Sequence, residues 1–395
     1  MRSLPSTLTL VKKVRVEEGS MKNILYGSTA IVAVSMFNIG ALAAAEKIKM
    51  GVGGYFAAYL VYAKQDDNPG EPGANRRNHG LSREAEIIFN GRTRFDNGLQ
   101  VGVQVQLEAE TCNDQIDESF MWFSGRFGRI NIGSENSAAF LMHYAAPAPT
   151  YWQHGLNSPG FQHPSRGTNA TFLYPHTNPV NISGDAEKIT YFTPRIAGLQ
   201  LGVSYTPDVC EEASAGSVPP CGGSYAGLPS DTNGFGEAWE VGVNYVDFLG
   251  DVGVRLSASY GTSKNDVSGA GRDDPTEWSV GGQVSYAGFT IGGAYTDRDG
   301  LFGFEGIESK EYNFGIRYAT GPWGAGVTYA GKETATPFQA GEDELDAFEI
   351  GGSYALGPGV TLSAGIQYWD MEDDAGAPSA ENQATIGFIG TYVAF

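Results

Sequence analysis

The residues of this chain equipped for chemistry are five histidines, three cysteines and an excess of carboxylates. Four of the histidines, His143, His154, His163 and His176, fall in one stretch at spacings of 11, 9 and 13, and His79 stands apart. Zinc sites draw on ligands a few residues apart, so this spacing matches no zinc pattern. A hydrolase needs a nucleophile and a base held together. All five histidines sit in segments read below as loops, and the chain is expected not to be an enzyme. A different chemistry fits better. Polar and charged side chains recur at alternate positions: Asn90, Arg92 and Arg94, then Gln104, Gln106 and Glu108, then Arg129 and Asn131. In an extended strand that spacing sends them all to one side. Such a wall of amides and charges keeps water in place and selects among solutes without reacting with them.

A wall of this kind needs elements to hold it, and composition says which. Glycine supplies 55 of 395 residues, with no collagen period, roughly twice ordinary usage. The hydrophobic share of 41% is too rich for a disordered chain. Tyrosine and phenylalanine number 20 and 21, against 3 cysteines, which excludes a disulfide scaffold. Beyond the N-terminal segment no apolar run reaches the ~18 residues of a helical membrane span. The net charge of −20 opposes binding to nucleic-acid phosphates. An acidic, glycine- and tyrosine-rich all-β chain remains.

The first residues read as an address. Lys22 follows Met21, an apolar stretch runs from Ile24 to Ala45, and it ends in Ala41-Leu42-Ala43-Ala44-Ala45. Basic start, short apolar core and small-residue exit make a secretory signal peptide over 1–45. Residues 1–20 fit no leader pattern, so Met21 is the expected start. Export implies an oxidising compartment, where Cys210 and Cys221 could pair across one loop and Cys112 is left over.

From Leu199 onward the chain alternates. Leu199, Leu201, Val203 and Tyr205 share a face, as do Trp239 to Tyr245, Trp278 to Tyr286, Tyr312 to Tyr318 and Phe348 to Tyr354 at every second residue. The opposite faces carry Glu240, Arg255, Glu277, Glu311, Arg317 and Glu349. Period two means strands with one apolar face, and aromatics at both ends of that face match the two interfacial girdles of a transmembrane barrel. Counting back to residue 47 gives sixteen strands, an even number as closure requires. Short turns such as 96–98 and 287–288 alternate with long polar connections at 64–80, 134–186, 208–236, 263–274, 299–308, 332–344 and 371–380, with 111–115 the exception. The expected architecture is a 16-stranded antiparallel β-barrel over 46–395.

The stretches Gly91-Arg92-Thr93-Arg94-Phe95-Asp96-Asn97-Gly98-Leu99, Ser124-Gly125-Arg126-Phe127-Gly128-Arg129 and Lys188-Ile189-Thr190-Tyr191-Phe192-Thr193-Pro194, with the terminal Phe395, resemble those of Gram-negative general porins of the alphaproteobacterial type. The resemblance implies an outer-membrane, water-filled channel for passive diffusion of small hydrophilic solutes, built as a homotrimer. It implies that the third long loop, here 134–186, folds into the lumen and constricts it. It also implies that Phe395, with Val393 and Ile389 on the outward phase, is read by the barrel-assembly machinery. Arg92, Arg94, Arg129 and Lys188 are then expected to form a basic wall at the constriction, facing Glu135 and Asp185. Small and aliphatic outward residues on the early strands (Gly54 and Ala58, then Leu99 to Leu107) suggest the subunit contact. Acidic loops could bind divalent cations such as calcium and bridge lipopolysaccharide; no other cofactor is expected. The competing reading is a substrate-specific channel, which needs stacked aromatics along one lumen wall. Tyr55, Tyr59 and Trp369 look too scattered for that.

Overall fold

The computed structural model describes residues 47–109, 116–150, 156, 164–165, 179–209, 234–267, 269–335, 341–374 and 381–395. The signal-peptide segment and all three cysteines lie outside the described residues. Sixteen strands follow one another: β1 (Lys49–Gln65), β2 (His79–Arg94), β3 (Gln100–Glu108), β4 (Ser119–Gly125), β5 (Gly128–Ser134), β6 (Glu187–Phe192), β7 (Leu199–Asp208) and β8 (Phe235–Leu249). Then come β9 (Val252–Asn265), β10 (Thr276–Tyr286), β11 (Phe289–Asp299), β12 (Glu308–Thr320), β13 (Trp323–Ala335), β14 (Glu342–Gly357), β15 (Val360–Glu372) and β16 (Asn382–Ala394). Each pairs antiparallel with its sequence neighbours, and β1 pairs with β16 to close the barrel. The seam ends in a reciprocal backbone pair, Gly54 N–H to the Phe395 carbonyl and Phe395 N–H to Gly54, both 3.1 Å. Closure leaves no strand edge unpaired, which hydrocarbon would not tolerate. No helix among the described residues is long and apolar enough to cross a membrane.

Alternation decides which face meets what. Trp239, Val241, Leu256, Trp278, Ile291, Phe314, Val327, Phe348 and Ile366 are exposed outward, while Glu240, Ser257, Glu277, Glu311, Thr328 and Glu349 are buried inward. The outward aromatics pair across strands in two belts. Toward the long loops stand Tyr205–Trp239 (4.7 Å), Trp278–Tyr295 (5.3 Å) and Tyr329–Phe348 (4.7 Å). Toward the short turns stand Phe289–Tyr318 (4.6 Å) and Trp323–Tyr354 (4.4 Å). Tight turns close the second end. Ala287 (φ 49°) and Gly288 (φ 86°) give the two left-handed residues of a two-residue hairpin between β10 and β11.

The strands reach further into the long connections than periodicity indicates. Glu342 to Asp346, expected in a loop, lie on β14, and β13 extends to Ala335. Residues 64 and 65 belong to β1, and 79 and 80 to β2. Above the aromatic belt both faces meet water, so the apolar alternation fades although the hydrogen-bonded ladder continues.

Candidate functional site

Inward polar side chains of β7–β14 act as a row of hydrogen-bonding posts, and the segment joining β5 to β6 is fastened along them. It begins with a one-turn helix, α1 (Ala138–Leu141), whose N-cap Ser137 accepts from the Phe140 N–H. The Ala138 N–H donates to Ser204 Oγ on β7 (2.8 Å), Tyr144 N–H to Ser257 on β9 (2.9 Å) and Ala146 N–H to Asn313 on β12 (2.7 Å). Gln283 on β10 donates to the Ala145 carbonyl (2.7 Å) and Thr328 on β13 to that of Pro147 (2.9 Å). On β14, Glu349 accepts from Thr150 Oγ1 (2.8 Å), the Leu156 N–H (2.9 Å) and Gln367 (3.1 Å). Ser165 meets Gln65 of β1 and Asn382 of β16.

The returning arm is held by carboxylates. Glu277 accepts the Asn181 N–H (3.0 Å), and Glu240 accepts from Ile182 N–H (3.1 Å), Ser137 Oγ (3.0 Å) and Ser183 Oγ. Arg298 bridges Glu277 (3.3 Å) and Glu311 (2.5 Å), Lys332 also pairs with Glu311 (2.9 Å), and Arg298 donates to the Pro179 carbonyl. Glycines make room for the chain: a Cβ on Gly281 would overlap the Tyr144 carbonyl, and one on Gly242 would stand 2.8 Å from that of Ala138. His143 lies half-buried in this segment, its Nδ1 3.4 Å from Ser279 Oγ. Burial, with Arg298 nearby, pushes its pKa down to about 4.

The residues singled out from sequence distribute as follows. Lys188 is buried, its ammonium held by the main-chain carbonyls of Gly184 (2.9 Å), Ala186 (2.5 Å) and Glu135. Arg129 donates to Asn131 (2.7 Å) and lies 4.9 Å over the Trp122 ring, and Asn131 in turn donates to Glu135. Asp185 gives its carbonyl to Ser134 Oγ (2.6 Å). The spacing set Glu135 and Asp185 across the channel from Arg129 and Lys188; these residues stand together at the root of the segment. It leaves from β5 and returns into β6, which are paired neighbours, so its two ends cannot oppose each other. Burial raises the Glu135 carboxyl to about 7, against the lowering pull of Asn131, Arg129 and Lys188. Arg92 and Asn90 sit partly exposed on β2 and Arg94 exposed at its end, with Gln104 opposite Asn90. Gln106 is buried and donates to Glu118 (2.6 Å), which also accepts from Asn136 (2.8 Å). Burial and the nearby carboxylates raise Glu118 well above the ordinary range. Ile389, Val393 and Phe395 are exposed outward.

Two expectations meet a different arrangement. Tyr55 and Tyr59 are gathered, not scattered: with Phe388 and Tyr392 they form one cluster across the seam, Tyr55 stacking on Tyr392 at 5.6 Å. Trp369 belongs to a second cluster with Leu345, Met371, Ile386 and Leu156. All are at most 6% exposed, so they pack on neighbours and offer no stacking face to a solute. The acidic loops are partly structural: Asp274 accepts the Asn265 N–H (2.7 Å), Asp66 the Gln383 N–H (2.9 Å) and Asp374 the Glu342 N–H (3.1 Å). Among the described residues, Glu86, Glu108 and Asp117 bring three carboxylate oxygens within 4.8 Å of one another, oxygen donors suited to a hard cation such as calcium. Sequence reasoning placed Glu240, Glu277, Glu311 and Glu349 on the inward face but gave them no task; a long loop opposite inward carboxylates was the signal.

A family model for Gram-negative porins matches residues 27–374. Uncharacterized proteins of Rickettsia conorii and Rickettsia prowazekii are 22% and 20% identical, covering 81% and 75% of this chain and 86% and 80% of theirs. Among solved structures, the anion-selective porin from Comamonas acidovorans has a TM-score of 0.60 at 15% identity, over 88% of this chain and all of that one. Salmonella typhi OmpF in complex with daunomycin gives 0.59 at 14%, over 88% and 97%.

Proposed function

The chain belongs to the Gram-negative porin family and is an outer-membrane channel for passive diffusion, and we propose that the segment 135–186 folds into its lumen and sets the constriction. Family and fold point to a channel rather than an enzyme. The observation that carries the constriction is the succession of inward posts from Ser204 to Glu349 that hold the segment's main chain. Wall residues that face the lumen and also bond the loop put that loop in the path of solutes. Small hydrophilic solutes then pass between the loop and the walls it leaves uncovered. In planar bilayers the wild-type protein is expected to form ion-conducting channels, and deletion of 140–178 to widen them. An unchanged conductance in the deletion variant would refute a constricting loop.

The outward face of β2–β5 supports a homotrimer. It carries Ile87, Phe89, Val103, Met121 and Ile132 and, among the described residues, no tyrosine or tryptophan, whereas the aromatic belts cover β7–β14. Surfaces sheltered by a sister subunit need no interfacial aromatics. Residues 1–45 act in this reading as the export signal. Calcium at acidic groups, bridging lipopolysaccharide, would add only attachment to the membrane.

A further inference from the structure

Resting on the channel reading above, we propose that this porin favours small anions, through arginines gathered at its periplasmic mouth. The net charge of −20 points the other way, but net charge acts on a permeating ion only within a Debye length, roughly 8–10 Å near physiological salt. The inward charges are sorted along the barrel axis. Toward the short turns, the periplasmic end of such barrels, stand Arg129 at the start of β5, Arg195 after β6, Arg255 near the start of β9 and Arg317 near the end of β12. Arg92 and its register partner Lys49 add to the same end. Arg255 alternates with Gly253 and Ser257, and Arg317 with Gly315 and Asn313, so both point inward.

Their partners are neutral. Arg129 meets Asn131 and the Trp122 ring, with the Glu135 carboxylate beyond Asn131. Arg195 donates to Gln200 (2.7 Å), Asn244 (2.7 Å) and the Gly198 carbonyl (2.6 Å). Arg255 donates to Gln283 (3.0 Å) and Arg317 to Ser353 (3.5 Å). Among the described residues these four arginines make no salt bridge. At and beside the turns, Asp96, Asp247 and Asp251 stand against Arg94 and Arg126, and with the arginines above and Lys49 the mouth stays basic.

The inward carboxylates stand higher and are engaged. Glu240, Glu277 and Glu349 hold the loop, Glu311 holds Arg298 and Lys332, Glu118 accepts two amides, and the Tyr55 hydroxyl binds both Glu84 and Glu86 (2.7 Å to Glu86). Glu311 lies six residues above Arg317 on one strand, and Glu86 six above Arg92. At ~3.3 Å per residue that is about 20 Å along the strand, beyond the screening distance. The exposed carboxylates of the outer rim, among them Glu344 and Glu372, lie further still. An ion at the periplasmic mouth therefore meets the guanidinium groups of Arg195, Arg255 and Arg317, whose hydrogen-bond partners carry no charge. Their planar forks fit carboxylates and phosphates, which makes small carboxylates and inorganic phosphate the favoured solutes.

The test is the reversal potential of the purified protein in planar bilayers across a potassium chloride gradient. Chloride is expected to permeate better than potassium. The variant R195Q/R255Q/R317Q should lower the chloride-to-potassium permeability ratio about threefold while channels still open. Should that variant fail to assemble, Arg317→Gln alone, which removes one long hydrogen bond, should lower the ratio in the same direction. Glu344→Gln with Glu372→Gln should leave it unchanged. A potassium-preferring wild type, an unaffected ratio in assembled arginine variants, or a shift from the rim pair equal to theirs would each overturn the proposal. Absence of any conductance would instead sink the channel reading on which it rests.

Discussion

A single buried cation ties the root of the loop together. Lys188 gives its three donors to the carbonyls of Glu135, Gly184 and Ala186, so one side chain fixes both the departing and the returning chain. Lys188→Met fills the same volume with no donor and leaves those carbonyls to find water. Removing one partner of a buried charged hydrogen bond costs about 2–3 kcal/mol, so the urea midpoint in detergent should fall by that equivalent. Glu135 beside it yields a pH prediction. Its folded value, about 7, stands above the ordinary carboxylate value of 4.5, so the protonated form is the one folding favours. The stabilisation is complete below about pH 4.5 and is lost as pH rises through 7. Melting temperature should decline across that window more steeply in wild type than in Glu135→Gln, and parallel curves would remove Glu135 as the cause. The inward face of Lys188 was legible from parity, and Glu135 from its place near the start of the long loop. Parity carries no information about how a long loop returns, so their adjacency was not legible.

Strands and loop are matched element to element. The alternation of large outward and small or polar inward residues made sixteen strands readable, since lipid on one side and water on the other impose period two. Above the aromatic belt that constraint lapses, which is why the outer ends of β1, β2, β13 and β14 were not readable. Fit between loop and wall rests on close approach. Gly281 on β10 faces the Tyr144 carbonyl with no space for a Cβ, while a Cβ on the next residue, Gly282, would meet only Leu256 and Arg255 of β9. Gly281→Val should therefore displace the loop near Tyr144 without disturbing the β10 ladder. Single-channel conductance should rise by roughly half, with the barrel's β-sheet circular dichroism retained. A conductance equal to wild type in a folded Gly281→Val protein would mean that the loop at Tyr144 does not limit the current.

At the scale of the assembled molecule, the barrel wall is two surfaces. Over β7–β14 Tyr and Trp pair at both membrane interfaces, the arrangement that headgroups favour. Over β2–β5 the described outward face carries no Tyr or Trp, with Val103 paired to Met121 and Met121 to Ile132 in register. If that face meets sister subunits, a charge placed there must break the assembly, whereas the same charge on the aromatic side must only oppose insertion. Val103→Asp with Met121→Asp is therefore expected to convert a three-chain particle in native mass spectrometry into single barrels. Ile350→Asp on β14, exposed between its aromatic belts, is expected to keep the three-chain mass and to lower folding yield, because a carboxylate in the hydrocarbon costs up to about 2 kcal/mol. The pair of variants separates the two surfaces by the property each controls. Loss of the three-chain mass in Ile350→Asp alone would place the subunit contact on the aromatic side, and a single-chain mass for the wild type would remove the contact from both.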